Sequence, residues 1–213
     1  MQDIDRTPLV MPDKLKKRLY PVVLDLFSKH DYHQVNIRDV CNLSGLSTST
    51  IYKYFSSKED MLFGIIDEKV DEIYELIRLH IQGLESTREM FRKAFWVLMD
   101  YYDRNPGVAI TFFITVPTRT WMQKDSYRRN SAYDILSGIV DHGTGRKEID
   151  PHFKTSQILG IFFMHCYHEV HRWYYNHMQW NLVDAIPEFF PVFWKTISAH
   201  NVSQKQENPP GEV

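Results

Sequence analysis

Apolar residues recur along this chain with the period of a helix rather than of a strand. Leu15, Leu19, Val22, Val23, Leu26 and Phe27 form one stripe over 13–29, a helix face. Pro21 falls inside that stretch and removes one backbone donor, which predicts a kink or a late start. Leu62, Ile66, Val70, Ile73 and Ile77 predict a long helix over 58–84. Ser86 and Glu89 have capping-box spacing and open a helix over 86–104, closed by Asn105-Pro106-Gly107. Shorter helices are predicted over 108–116, stopped by Pro117, and over 126–141. His142-Gly143-Thr144-Gly145 reads as the clearest loop. An aromatic helix over 151–179 and a last one over 184–199 complete the pattern, with Pro187 acceptable only in a first turn.

Composition narrows the class. With 43% hydrophobic and 24% charged residues, the chain is globular, and no apolar run approaches the roughly 20 residues of a membrane span. No signal peptide is read at the N-terminus. Cys41 and Cys166 stand far apart and suggest neither a disulfide framework nor a zinc cluster, so a cytoplasmic location is expected. Net charge is −2, but unevenly spread: residues 1–58 hold nine Lys/Arg against six Asp, and the remainder carries −5. A basic head on an acidic body suits a protein that offers one end to phosphates.

The stretch 36–58 carries the chemistry. Asn36 is a good N-cap, with Asp39 at the third helical position. Ile37, Val40 and Leu43 are expected to form a buried face, and Gly45 stands where a left-handed residue ends a helix. Leu46 anchors the turn and Ser47 caps the next helix, the spacing of a helix-turn-helix. On that second helix Ile51 and Phe55 face the core, while Thr48, Ser49, Tyr52 and Lys53 lie opposite. Short hydroxyl side chains let a helix sink toward base edges, and Tyr52 and Lys53 suit phosphates at its margins. Lys58, just after Ser57, is expected to clamp a phosphate together with the amides of the helix it opens.

These residues resemble the signature of TetR-family regulators: a capped second helix from Asn36, the turn Ser44-Gly45-Leu46, the element Ile51-Tyr52-Lys53-Tyr54-Phe55, and Lys58 opening helix four. Asp31 and Cys41 depart modestly from it, as does Pro21. The resemblance implies an all-α fold of about nine helices: a helix-turn-helix domain over 1–57, an effector-binding and dimerisation domain over 58–203, and a disordered tail over 204–213. It assigns Arg38, Ser47, Thr48, Ser49, Thr50, Tyr52, Lys53, Tyr54 and Lys58 to double-stranded DNA. The implied partners are a near-palindromic operator, a second copy and a small effector, with no membrane and no cofactor. Repression relieved by the effector is the expected mode.

An effector cavity in the body is expected from the same resemblance, for an apolar or aromatic ligand. Its candidate lining is Trp96, Met99, Tyr102, Phe113, Trp121, Phe163 and Tyr167, although aromatic stripes also build plain cores. His165, His168 and His171 recur every three residues beside Glu169, but no second cluster supplies the remaining ligands of a metal. No Gly-rich phosphate loop or nucleophile elbow is present, so no catalytic residue is assigned. A metal-dependent enzyme and an architectural DNA-binding protein without an effector stay as alternatives. Dimerisation is expected through the two C-terminal helices, with Phe193 and Trp194 at the contact.

Overall fold

A computed structural model of the chain describes residues 10–123 and 131–199. It divides into two compact units, Met1–Lys69 with Pro106–Arg128 and Val70–Asn105 with Arg129–Val213. Both are helical, and among the described residues the β-structure is one isolated antiparallel bridge, Ile149 with Ser198. The tail expected over 204–213 lies outside the described residues.

In the first unit, α1 (Asp13–Lys29) runs unbroken through Pro21, whose ring sits on the exposed side. Leu19, Val23, Leu24, Leu26 and Phe27 are buried on its other face. α2 (Ile37–Ser44) and α3 (Thr48–Tyr54) follow, then α4 (Lys58–Ile81), which begins in this unit and ends in the other. Lys16 pairs with Glu68 of α4 at 2.7 Å, and the Tyr20 hydroxyl donates to the same carboxylate at 2.7 Å. α6 (Pro106–Ile110) continues into a π-helical turn, Thr111–Thr115, and α7 (Thr118–Trp121). The hydroxyls of Thr111 and Thr115 donate to the carbonyls of Leu24 (3.4 Å) and Phe27 (2.7 Å), so this segment is seated on the end of α1. A Cβ on Gly107 would lie 3.5 Å from the Leu24 carbonyl oxygen, which lets the two backbones approach.

The second unit holds α5 (Thr87–Arg104), α8 (Ser131–Gly145), α9 (Thr155–Tyr175) and α10 (Ile186–Ile197), the last preceded by a 3₁₀ turn, Leu182–Ala185. Ser86 caps α5 by accepting from the Glu89 amide, but Glu89 itself turns to Arg92, so only half of the capping box forms. The loop expected at 142–145 is instead the last turn of α8. Gly143 is a packing glycine there: a Cβ would lie 2.6 Å from the Thr87 methyl and 2.7 Å from Ile149 Cδ1. The core is aromatic, with Phe95 stacked on Phe162 at 4.1 Å and Phe193 edge-on to Phe91 and Phe95 at 5.2 and 5.0 Å. Phe193 is therefore wholly buried within one chain, which corrects its expected place at a dimer contact. Trp194, beside it, is half-buried.

Candidate nucleic-acid interface

Local chemistry builds the helix-turn-helix. The Asn36 side chain accepts from the Asp39 amide at 3.1 Å, Gly45 ends α2 at φ 65°, and Ser47 accepts from the Thr50 amide at 3.1 Å. Two caps and one left-handed glycine thus set both helices and the turn. α3 buries Ile51 and leaves Thr48, Ser49, Tyr52 and Lys53 exposed, Tyr52 by 52%. The Ser47 hydroxyl lies 2.9 Å from that of Ser49 and 2.8 Å from that of Thr50, so these groups are oriented before any ligand arrives. Lys53 rests 5.6 Å above the ring of half-buried Tyr54. Arg38, in the first turn of α2, is exposed.

One sequence expectation fails here. Leu43 is 62% exposed, and the buried position near the end of α2 is Ser44, whose hydroxyl accepts from the Leu46 amide at 3.3 Å. Lys58, expected at a phosphate, donates within the chain to the carbonyls of Tyr32 and Val35, both at 2.9 Å, and sits 4.3 Å above the Tyr32 ring. In the first turn of α4 Ser57 accepts from the Asp60 amide at 3.0 Å, and the Asp60 carboxylate takes the Ser56 amide and hydroxyl. Glu59 and Asp60 make that first turn acidic, where an anion is repelled.

Arg18, which the sequence did not single out, donates from Nη2 to the Gly45 carbonyl at 2.8 Å and from Nε to the Ser44 carbonyl at 3.3 Å. The Tyr32 hydroxyl donates to Glu59, and this bond holds the Glu59 carboxyl below the usual carboxylate range. Burial, reinforced by Glu59, pushes the Tyr32 phenol up. No local signal announces these contacts, because each joins residues more than twenty positions apart. A groove of about 360 Å³ lies beside α2, lined by Leu26, His30, Gln34, Val35, Asp39, Asn42 and Leu43.

The expected effector residues are not gathered on one wall. In the second unit Met99 and Tyr102 are buried on α5, whereas Trp96 is partly exposed under the Lys93 ammonium, 4.8 Å away. Phe163 and Tyr167 are exposed on α9. Phe113 belongs to the first unit and is half-buried, and the Trp121 side chain lies outside the described residues. Burial raises the Tyr102 phenol and the Cys166 thiol, both fully enclosed in the second unit.

The histidine row diverges. The His165 ring packs 5.6 Å from Phe189, His168 is exposed beside Glu169, and His171 stacks on Tyr167 at 3.8 Å. Among the described residues no three His, Cys, Asp or Glu side chains are placed to hold a metal. Also among them, no helix is long and apolar enough to cross a membrane.

Comparison with known proteins agrees with this geometry. Residues 24–65 match the profile of the bacterial regulatory proteins, tetR family. Over 178 residues the chain is 24% identical to the fatty acid metabolism regulator protein of Bacillus subtilis, covering 80% of this chain and 91% of that one. The fatty acid degradation regulator FadR of Bacillus halodurans superimposes with a TM-score of 0.80 at 16% identity, covering 87% of this chain and 97% of that one. FadR of Bacillus subtilis in complex with stearoyl-CoA superimposes with a TM-score of 0.77 at 20% identity, covering 83% and 96%.

Proposed function

We propose that the chain is a regulator of the TetR type, a homodimeric repressor released from its operator by a long-chain acyl-CoA. The observation that carries DNA recognition is the division of α3, with Ile51 buried and Thr48, Ser49, Tyr52 and Lys53 exposed together. Thr48 and Ser49 reach base edges, and Tyr52, Lys53 and Arg38 hold phosphates around them. Ser47 and Thr50 serve this face indirectly, Ser47 by capping α3 and both by fixing its hydroxyls, and the Tyr54 ring lies under the Lys53 ammonium.

The effector class follows from the relatives, one of which was solved with stearoyl-CoA. Met99 and Tyr102 are the buried members of the expected lining in the second unit. The effector must favour one head arrangement over another, since equal affinity for both shifts nothing.

Pairing two copies through α9 and α10 supplies the two heads that a near-palindromic operator needs. Phe163, Met164, Tyr167, Tyr174 and Tyr175 form an exposed stripe along α9, with Val192 exposed on α10. Such a protein acts in the cytoplasm and has no catalytic role. Selection from a random duplex library tests this reading: enrichment of a two-fold symmetric site supports it, and no enrichment contradicts it.

A further inference from the structure

Four of the six residues from Asp13 to Arg18 are basic, and they divide between two sides of α1. Lys16 turns toward α4, where it pairs with Glu68 at 2.7 Å. Lys14 and Lys17 are exposed. Among the described residues neither ammonium makes an ion pair or a hydrogen bond, not even with Asp13 one turn before Lys17. Arg18 marks where their side of the helix lies. Its guanidinium donates to the carbonyls of Ser44 at 3.3 Å and Gly45 at 2.8 Å, in the turn that leads to the Ser47 cap of α3. At about 100° per residue, Lys14 stands about 40° from Arg18 and Lys17 about 100° from it in the same sense, whereas Lys16 is about 160° away.

We propose that Lys14 and Lys17 form a second phosphate-binding strip of the head, continuous with the turn before α3, which holds the DNA backbone beside the bases that α3 reads. This inference rests on the reading of α3 as the recognition helix. Two uncommitted cations on one exposed helix side complement the one charge that every duplex carries along its length. A lysine meets a phosphate as a point charge on a flexible stem, without the fixed geometry that reading a base edge needs. The strip therefore adds affinity for any duplex and no sequence preference.

Salt separates this role from a merely structural one. Each phosphate neutralised releases counterions, so log Kd rises with log salt by about 0.9 for every contact made. A residue that only shapes the head changes affinity for the selected site and leaves that slope in place. The full-length protein is therefore titrated across a salt series with a duplex selected from a random library by the wild type, and with an unrelated duplex of equal length.

In Lys14→Ala/Lys17→Ala the slope should fall by about two for each protein copy bound, and both duplexes should bind about tenfold or more weakly at about 0.1 M salt. The sequence that this variant enriches should be that of the wild type. Ethylation interference should show that phosphates outside the enriched bases, needed by the wild type, are no longer needed. Lys14→Arg/Lys17→Arg keeps both charges and the slope. Arg78→Ala/Arg92→Ala, which removes two exposed cations of the second unit, leaves the slope in place. Should the alanine pair fail to fold, Lys14→Gln/Lys17→Gln carries the same test. A wild-type slope in the Lys14/Lys17 variant, or weakening confined to the selected duplex, overturns the strip. A wild-type protein that enriches no sequence overturns the recognition reading instead, and the slope on the unrelated duplex then still decides the strip. A wild type that binds neither duplex overturns both.

Discussion

The Arg18 guanidinium reaches the Gly45 carbonyl at 2.8 Å, and a Cβ placed on Gly45 would lie 2.8 Å from the same nitrogen. The residue that ends α2 must be left-handed, and a side chain there would push aside the Arg18 guanidinium that holds the turn. Gly45→Ala is expected to cost about 1–2 kcal/mol from the positive φ alone. It should also displace Arg18, so that operator binding falls further than the folded fraction accounts for. Denaturant titration and DNA binding on the same preparation measure both effects.

The Tyr32–Glu59 bond has a pH signature. Glu59 is held below its ordinary range by the Tyr32 hydroxyl, so its contribution is present above the unfolded value of about 4.3 and is lost as pH falls through the lower folded value. Tyr32→Phe should be less stable than wild type at pH 7. The difference should narrow in denaturant titrations as pH falls through the depressed folded value of Glu59, below which that carboxyl is protonated in both proteins.

The face of α3 predicts a division among its residues. Tyr52→Phe should weaken operator binding with little change in stability, because its hydroxyl is exposed and is proposed to meet a phosphate. Thr48→Ala should alter base preference, with discrimination at one position changing by about 1–3 kcal/mol. Repeating the selection with each variant distinguishes the two, since only the second changes the sequence that is enriched.

Burial separates the two kinds of apolar residue near the C-terminus. Phe193 is enclosed by Phe91, Phe95 and Phe162, so Phe193→Ala should cost about 3–5 kcal/mol in chemical denaturation. Met164 is 63% exposed on α9, and Met164→Glu should leave that stability in place while splitting the proposed dimer. Sedimentation of the wild type as a monomer at micromolar concentration would contradict the pairing.

What could be read from the sequence was local. The caps Asn36 and Ser47 and the left-handed Gly45 act within four residues, so the helix-turn-helix was visible in composition and spacing. The buried face of α2 was misjudged by one step. At about 100° per residue Ser44 returns to within about 20° of Ile37, while Leu43 stands about 120° away. Gly143 read as a loop residue because glycine serves turns and close packing alike, and only the approach of Thr87 and Ile149 decides between them. Phe193 was misplaced for a related reason: its partners Phe91, Phe95 and Phe162 lie far off in sequence, where periodicity carries no information.

Regulation by an acyl-CoA is tested most directly by titrating stearoyl-CoA into the complex of the full-length protein with its selected duplex, followed by fluorescence anisotropy. The duplex should be released over the concentration range in which the protein binds the ligand, and the ligand should bind the DNA-bound protein more weakly by the same factor. Stearic acid and free coenzyme A serve as the two halves of the effector and should each release less. Saturating stearoyl-CoA that leaves the duplex bound with unchanged affinity would contradict this mechanism.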